Sequence, residues 1–260
     1  MPHQYTLKKD PEDLRDFKFS ALAPVTILHD TDYTAKFPPV WDQGQLGSCQ
    51  SHAIDAIDAY IKGYAFTPSH LFEYYNVRVL ENTVNQDAGG NLRDTCAALA
   101  KNGVCDATIW PYDISKFAIK PPQAAYNNAN FDNDRIYTYY RVSGIDQIRQ
   151  ALSAGHTPLI GIRIYENFES QTTLSTGIIP APRGALLGGH ALVIVGHHDE
   201  PASGCKAKEF IQHVFFKKST GNVKIRNSWG TGIGLSSSGY FQATYEVLEQ
   251  LLMDIWVIVS

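Results

Sequence analysis

Cys49 stands in "DQGQLGSCQSHA" straight after a glycine and a serine, where a helical pattern begins. A thiol in the first turn of a helix feels the positive end of the peptide dipoles, which favours the thiolate, the form of cysteine that attacks carbon. Such a nucleophile needs a base. His190 in "LLGGHALVIVG" is the best placed, at the start of an apolar strand and after two glycines that let another chain come close, 141 positions beyond Cys49. Asn227 in "KIRNSWGTGIG" offers a side-chain carbonyl that can accept the imidazole N–H and fix ring and tautomer, and Trp229 can shield that bond from water. Gln43, six positions before Cys49, brings an amide donor that, with the Cys49 N–H, can face an oxygen turning negative as a tetrahedral centre forms. Taken singly, these residues have plainer roles: a packed small residue, a core histidine, a turn asparagine and a core aromatic. Together they describe acyl transfer to sulfur.

The elements that must position them can be read from periodicity. "SCQSHAIDAIDAYIKGY" sets Cys49, His52, Ala53, Ala56, Ile57 and Tyr60 at three- and four-residue steps, which predicts an amphipathic helix with Ser48 as N-cap and Gly63 as stop. A second helix is expected in "TPSHLFEYYNVRVLE", capped by Ser69, and a third in "NLRDTCAALAKNG", ended by Gly103. After Pro121 and Pro122 the chain turns to β-branched and aromatic runs, among them "DRIYTYYRV", "TPLIGIRIYENF", "HALVIVGHH", "GYFQATYEVL" and "DIWVIVS", with one helix in "GIDQIRQALSAG". Residues 1–38 are polar and proline-spaced, an arm without a core of its own that is expected to lie on the body and across any cleft. The division is then an arm at 1–38, a helical lobe at 39–125 with the nucleophile, and a β-rich lobe at 126–260 with the base and its orienting residue. Fold class is α+β, with a ligand cleft between the lobes.

Composition narrows the partners. The formal net charge of -4 gives no basic surplus for phosphates or anionic lipid, so neither nucleic acid nor membrane is expected. No run approaches the ~20 apolar residues of a membrane span, and the charged start has no secretory core. The expected location is cytoplasmic, or outside the cell by a route without a cleavable N-terminal signal. Four cysteines are too few for a disulfide scaffold; the spacing leaves a Cys96–Cys105 bridge open. His197 and His198 beside Asp199 read as a surface turn rather than a metal site, because adjacent strand residues face opposite ways and no third ligand is spaced to join them. His52 is expected to pack behind Cys49, and Glu166, Glu169 and Asp199 to be solvated loop charges.

Gln43 with "GSCQ" around Cys49, the "GG" of "DAGGNLRDTCAALAKNGVCDATIWPYD", His190 opening "HALVIVG", and "NSWGTGIG" from Asn227 occur in one order, from about residue 36 to about 245. In these motifs the sequence resembles the papain family of cysteine peptidases. The resemblance implies a papain-like two-lobe fold, with a helical left lobe, a β-barrel-like right lobe and an extended peptide or protein substrate in the cleft between them. No cofactor and no metal are expected, and the chain is expected to be a monomer. By position, Cys49 would be the nucleophile, His190 the general acid/base, Asn227 its orienting residue and Gln43 an oxyanion donor. Gly89 and Gly90 match the glycines that pair with substrate backbone near the second residue before the scissile bond. Asn91, Leu92 and Gly188 match the wall of that subsite, and Gly189 and Trp229 complete the substrate-binding set.

The departures from the family pattern are specific. Gln50 follows the nucleophile where a tryptophan is usual, Gly189 precedes the base, and Ile233 replaces a second tryptophan. Leu46 and Asp87 stand where the family carries a disulfide. Asn227 lies 178 positions after Cys49, and the surplus falls at 197–222, read as an inserted long hairpin. The arm is far shorter than the family's pro-segment. Two other functions fit the same residues: a silent or latent binding module, its cleft covered by the arm, and a thiol amide or isopeptide transferase.

Overall fold

Helix α1 (Cys49–Lys62) begins at the cysteine and ends at Gly63, whose left-handed φ of 65° closes the last turn. Ser48 holds the N-cap position, yet its hydroxyl lies 2.6 Å from Tyr112 Oη and makes no cap bond. The structure, a computed structural model, describes residues 3–21, 25–63, 65–129, 137–200 and 220–260. In it the expected amphipathic helix is buried on every side from Cys49 to Ala59, because it lies between the sheet and two further helices. Its polar residues are therefore paired inside the core: Asp55 with His70 at 2.7 Å, and Asp58 with the donating hydroxyl of Tyr137 at 2.5 Å. Helix α2 (His70–Leu80) is capped by Ser69 as expected, and α3 (Leu92–Asn102) by Asn91, with Gly103 after it. His52 packs behind Cys49, its ring 4.0 Å from that of His70.

Six strands of the second half and one short strand of the arm build one antiparallel sheet. Its strands are β1 (Asp30–Asp32), β2 (Thr138–Arg141), β3 (Leu159–Tyr165), β4 (Leu186–Asp199), β5 (Gly221–Arg226), β6 (Tyr240–Thr244) and β7 (Leu252–Val259). The order is β2-β7-β3-β4-β5-β6, with β1 added to the far half of β4. The barrel-like lobe implied by the resemblance is instead an open sheet, since β2 and β6 are its outer strands and do not pair with each other. Alternation divides the strands between two cores. Ile160, Ile162, Ile164, Leu192 and Ile194 pack in one with residues of α5 (Gly144–Ser153) and α7 (Tyr245–Leu251), whereas Leu159, Ala191, Val193 and Val195 pack in the other against α1 and α3.

Short helices α4 (Gln123–Ala129) and α6 (Gln171–Thr176) also interrupt the β-rich half. "TYEVL", read as strand, turns into α7 because Thr244 accepts the Val247 N–H as a cap, and Leu248 and Leu251 then fall on one buried face. At 197–222, β4 and β5 pair to Asp199 opposite Gly221; the rest of the hairpin reading, 201–219 with Cys205, lies outside the described residues. His197 and His198 sit within β4, not at a turn. His197 bonds Thr31 and the Leu28 carbonyl, and His198 faces the other way to Asp30. Asp199 is buried against Arg149 and the Tyr245 hydroxyl, not solvated; Glu166 is exposed.

Candidate active site

The start of α1 meets the middle of β4, and this brings Cys49 beside His190: the N–H of Ala191, next along the strand, donates to Cys49 Sγ at 3.4 Å. His190 Nε2 lies 2.8 Å from Asn227 Oδ1, an acceptor, so Nε2 carries the proton. Its Nδ1 is buried without a hydrogen-bond partner among the described residues. Asn227 Oδ1 also accepts the Ser228 N–H at 2.8 Å, which fixes the carboxamide. Trp229, nearly buried, stacks on the imidazole with ring centroids 5.0 Å apart and keeps water from that bond. Gln43 is equally fixed: Oε1 accepts from Ser228 Oγ at 2.6 Å and Nε2 donates to the Leu46 carbonyl at 2.9 Å, leaving one amide hydrogen for another acceptor.

Both Cys49 and His190 are fully covered. Burial pushes the Cys49 thiol up to about 11, against the Ala191 and Gln50 N–H groups that favour the thiolate. Burial likewise pulls His190 down to about 4, against its bond to Asn227. The expected helix-end effect is outweighed by loss of water, and the covered pair is a neutral thiol beside a neutral imidazole. Gln50 is buried next to them, and the thiol donates to its Oε1 at 3.7 Å.

At the two positions of the missing disulfide, Leu46 packs with Leu71 and Tyr74, and Asp87 takes over the tie. Its carboxylate accepts the Gly47 N–H at 3.0 and 3.2 Å and the Tyr74 hydroxyl, while Tyr74 Oη accepts the Gly89 N–H at 3.2 Å. One carboxylate thus joins the loop before Cys49 to the double glycine. Asp87→Ala leaves two donors unmatched and should cost about 1–3 kcal/mol of stability, read as a lower midpoint of urea unfolding; an unchanged midpoint would remove Asp87 from this role.

What covers the site is the arm, at residues 3–8. His3 stacks on Trp229 at 4.1 Å, and Tyr5 sets its edge to His190 and Trp229 at 6.0 and 6.2 Å. Thr6 pairs with Gly189 in a parallel bridge and donates to the Gly47 carbonyl at 3.2 Å. The Leu7 N–H then donates to Gly189 O at 3.2 Å and the Lys8 N–H to Gly90 O at 3.3 Å. The Thr6 carbonyl lies so close to Gly89, at φ 65°, that no side chain fits there. Leu7 fills an apolar pocket with Leu92 and Ala191, and a Cβ on Gly161 would stand 2.8 Å from Leu7 Cδ2. Further along, Asp10 accepts from Trp256 Nε1 at 2.6 Å and from the Arg93 N–H at 3.0 Å, and Asp16 is gripped by Arg93 and Arg141 at 2.7 and 2.9 Å.

The family model described as papain family cysteine protease matches residues 28–254. The chain belongs to the papain family. An uncharacterised peptidase C1-like protein of Acanthamoeba polyphaga mimivirus is 35% identical over 233 residues, 84% of this chain and 68% of that protein. Xylellain, a cysteine protease from Xylella fastidiosa, is 31% identical, with a TM-score of 0.77 over 98% of this chain and 96% of that one. The fold is also that of the bromelain protease from Ananas comosus, at 18% identity and a TM-score of 0.63 over 90% and 99% of the two chains. As a papain-family member the protein is a cysteine-type peptidase, a hydrolase acting on protein or peptide substrates.

Of the papain-family positions named from sequence, Cys49, His190, Asn227 and Gln43 come together, and Gly89, Gly90, Gly188 and Gly189 lie along the arm. Leu92 lines the Leu7 pocket, but Asn91 uses its side chain to cap α3, accepting from Asp94 N and donating to Glu81. Sequence reasoning missed Tyr5, Leu7 and Gly161, and named Asp87 only as standing in place of a cysteine. It also misread Glu169, which accepts the Tyr5 hydroxyl at 2.6 Å. The signal for Leu7 and Tyr5 was two apolar-bodied residues alternating in a polar arm. Among the described residues, no His, Cys, Asp and Glu group of three or more is arranged for a metal, and no helix is long and apolar enough to cross a membrane. Cys96 and Cys105 are buried free thiols, not a bridge.

Proposed function

We propose that the protein is a papain-type peptidase with Cys49 as nucleophile, His190 as general acid/base, Asn227 as orienting residue and Gln43 with the Cys49 N–H as oxyanion donors, held latent by its own arm. The observation that carries this reading is the division of the imidazole: Nε2 is committed to Asn227, while Nδ1 is left without a partner one residue from the N–H that reaches Cys49 Sγ. With the arm displaced, Nδ1 takes the thiol proton and Sγ attacks the substrate carbonyl carbon. The carbonyl oxygen becomes negative beside the free Gln43 amide hydrogen. Collapse breaks the C–N bond, His190 returns the proton to the departing amine, and water then cleaves the thioester by the same route in reverse. Residues 39–125 and 126–260 supply the two walls of the cleft, and 1–38 the arm.

The direction of the arm supports latency rather than self-cleavage. A substrate running from Gly89–Gly90 towards Trp229 would have its amino-terminal part at the double glycine. The arm runs the opposite way, from His3 at Trp229 to Lys8 at Gly90. Its peptide bonds are therefore presented with the polarity reversed. The test is acid-quenched mass spectrometry of the protein with a peptide ester bearing a leucine side chain two residues before the labile bond. An acyl adduct on Cys49 is expected, and Asn227→Ala should slow its formation on the order of 10²-fold, because a misdirected ring costs orientation. Absence of both adduct and turnover, in a chain whose cleft has been opened, would favour a silent binding module.

A further inference from the structure

The arm marks the two sides of the cleft. Lys8 lies at Gly90, the acyl side, so His3 and Tyr5, across Cys49 and His190, occupy the side from which the leaving amine departs. There Tyr5 makes one polar side-chain contact, donating its hydroxyl to Glu169 Oε1 at 2.6 Å across 164 positions of sequence. Glu169 ends a single 3-10 turn, Glu166–Glu169, that follows β3, and the neighbouring Phe168 is buried edge-on against Trp229 at 5.6 Å. The carboxylate is thus presented from a fixed platform beside the candidate triad. Among the described residues no lysine or arginine is paired with it. Nearby, burial lowers the His3 pKa, against a backbone hydrogen bond with Gly44 and then the Glu169 carboxylate, which favour its charged form. An anion without a cation in a half-buried cleft binds donors and positive groups more strongly than it would in water, and repels other anions.

We infer that Glu169 selects substrates carrying lysine, arginine or tyrosine at the first or second residue after the scissile bond, and rejects acidic ones. Tyr5 is the resident donor of that subsite in the covered state. The inference rests on the peptidase reading above, but the subsite can be read without turnover.

The first experiment uses the full-length chain and amide hydrogen exchange of residues 3–8. Tyr5→Lys should keep the arm protected. Tyr5→Glu should raise exchange at least tenfold, and adding Glu169→Lys to Tyr5→Glu should restore protection. Equal exchange in Tyr5→Lys and Tyr5→Glu, with no rescue by Glu169→Lys, would overturn the assignment. The second experiment follows internally quenched peptides in full-length Leu7→Asp protein, with leucine fixed two residues before the cleaved bond. Lysine, arginine and tyrosine after that bond should exceed glutamate at least tenfold in kcat/KM, and Glu169→Lys should invert the order. A peptidyl coumarin, which has no residue after the bond, reports catalysis alone. Cleavage of the coumarin with no preference among the peptides overturns the selection and keeps the peptidase. A silent coumarin with the charge-swap rescue intact supports the subsite and overturns the peptidase.

Discussion

His190→Ala should lower kcat/KM for a peptide substrate by about 10⁴-fold or more, Cys49→Ser by a similar factor, and the double variant by little beyond either. The non-additivity follows from the chemistry. Without an imidazole, the thiol has no group to take its proton, and an exposed thiol of pKa about 8.5 stays mostly protonated at neutral pH. Without the sulfur, the imidazole has only a serine hydroxyl to deprotonate. Each residue is useful through the other, so the second loss removes almost nothing. The measurement is steady-state kinetics with an opened arm, paired with thermal unfolding of each variant. Cys49→Ser conserves volume and should unfold within a few degrees of the parent. Wild-type rates in His190→Ala would require another base, and His52 is buried behind the helix with its Nδ1 3.0 Å from the Ser48 carbonyl.

Leu7→Asp should raise the rate at which iodoacetamide alkylates Cys49 at about pH 5.5 by 10²-fold or more, because only roughly one thiol in several hundred thousand is ionised there at a pKa near 11, whereas a His-paired cysteine is largely thiolate. The variant places a carboxylate against Leu92 and Ala191, where it would lose several kcal/mol of hydration, and it removes the ~1.5–3 kcal/mol from burying a leucine. Leu7→Met keeps both shape and polarity and should label as slowly as the parent. Labelling located by mass spectrometry at Cys49 alone, and lost again when His190→Ala is added, is the expected pattern. Equal rates in parent, Leu7→Asp and Leu7→Met would mean that the arm does not limit access. Acid is not expected to mimic the substitution through Asp10. Burial raises the pKa of that carboxyl in the docked arm, so docking favours its protonated form. Its contribution is present below its unfolded value and fades as pH rises through the raised one.

The candidate catalytic residues could be proposed from sequence because the demands of that chemistry are local and ordered: a cysteine in a first helical turn, a histidine opening an apolar strand, and an asparagine before a turn. The three helices of the first half were legible from their stops at Gly63 and Gly103 and the cap at Ser69. What escaped depended on contacts distant in sequence. Nothing near Asp55 or Asp58 announces that their face of α1 would be covered, and the pattern reads as amphipathic until α2 supplies His70. Glu169 looks like any loop glutamate until an arm 164 positions away lays a tyrosine against it. Closure of the sheet was misjudged for a similar reason. Alternation within a strand says which face is apolar, but not whether the outer strands β2 and β6 meet.

Asp87 has a consequence for the conditions under which the protein can work. A sulfur nucleophile survives only where reductant keeps it from climbing to sulfenic acid or capturing another thiol, and the same reductant would open a strained or exposed disulfide beside it. A cysteine enzyme braced by cystine therefore depends on one sulfur staying reduced while two others stay oxidised. Here the loop before Cys49 is tied by a carboxylate to Gly47 and Tyr74, and the described cysteines are all free. The brace and the Cys49 thiol tolerate the same redox potential, so reductants that keep that thiol reduced leave the scaffold around it intact.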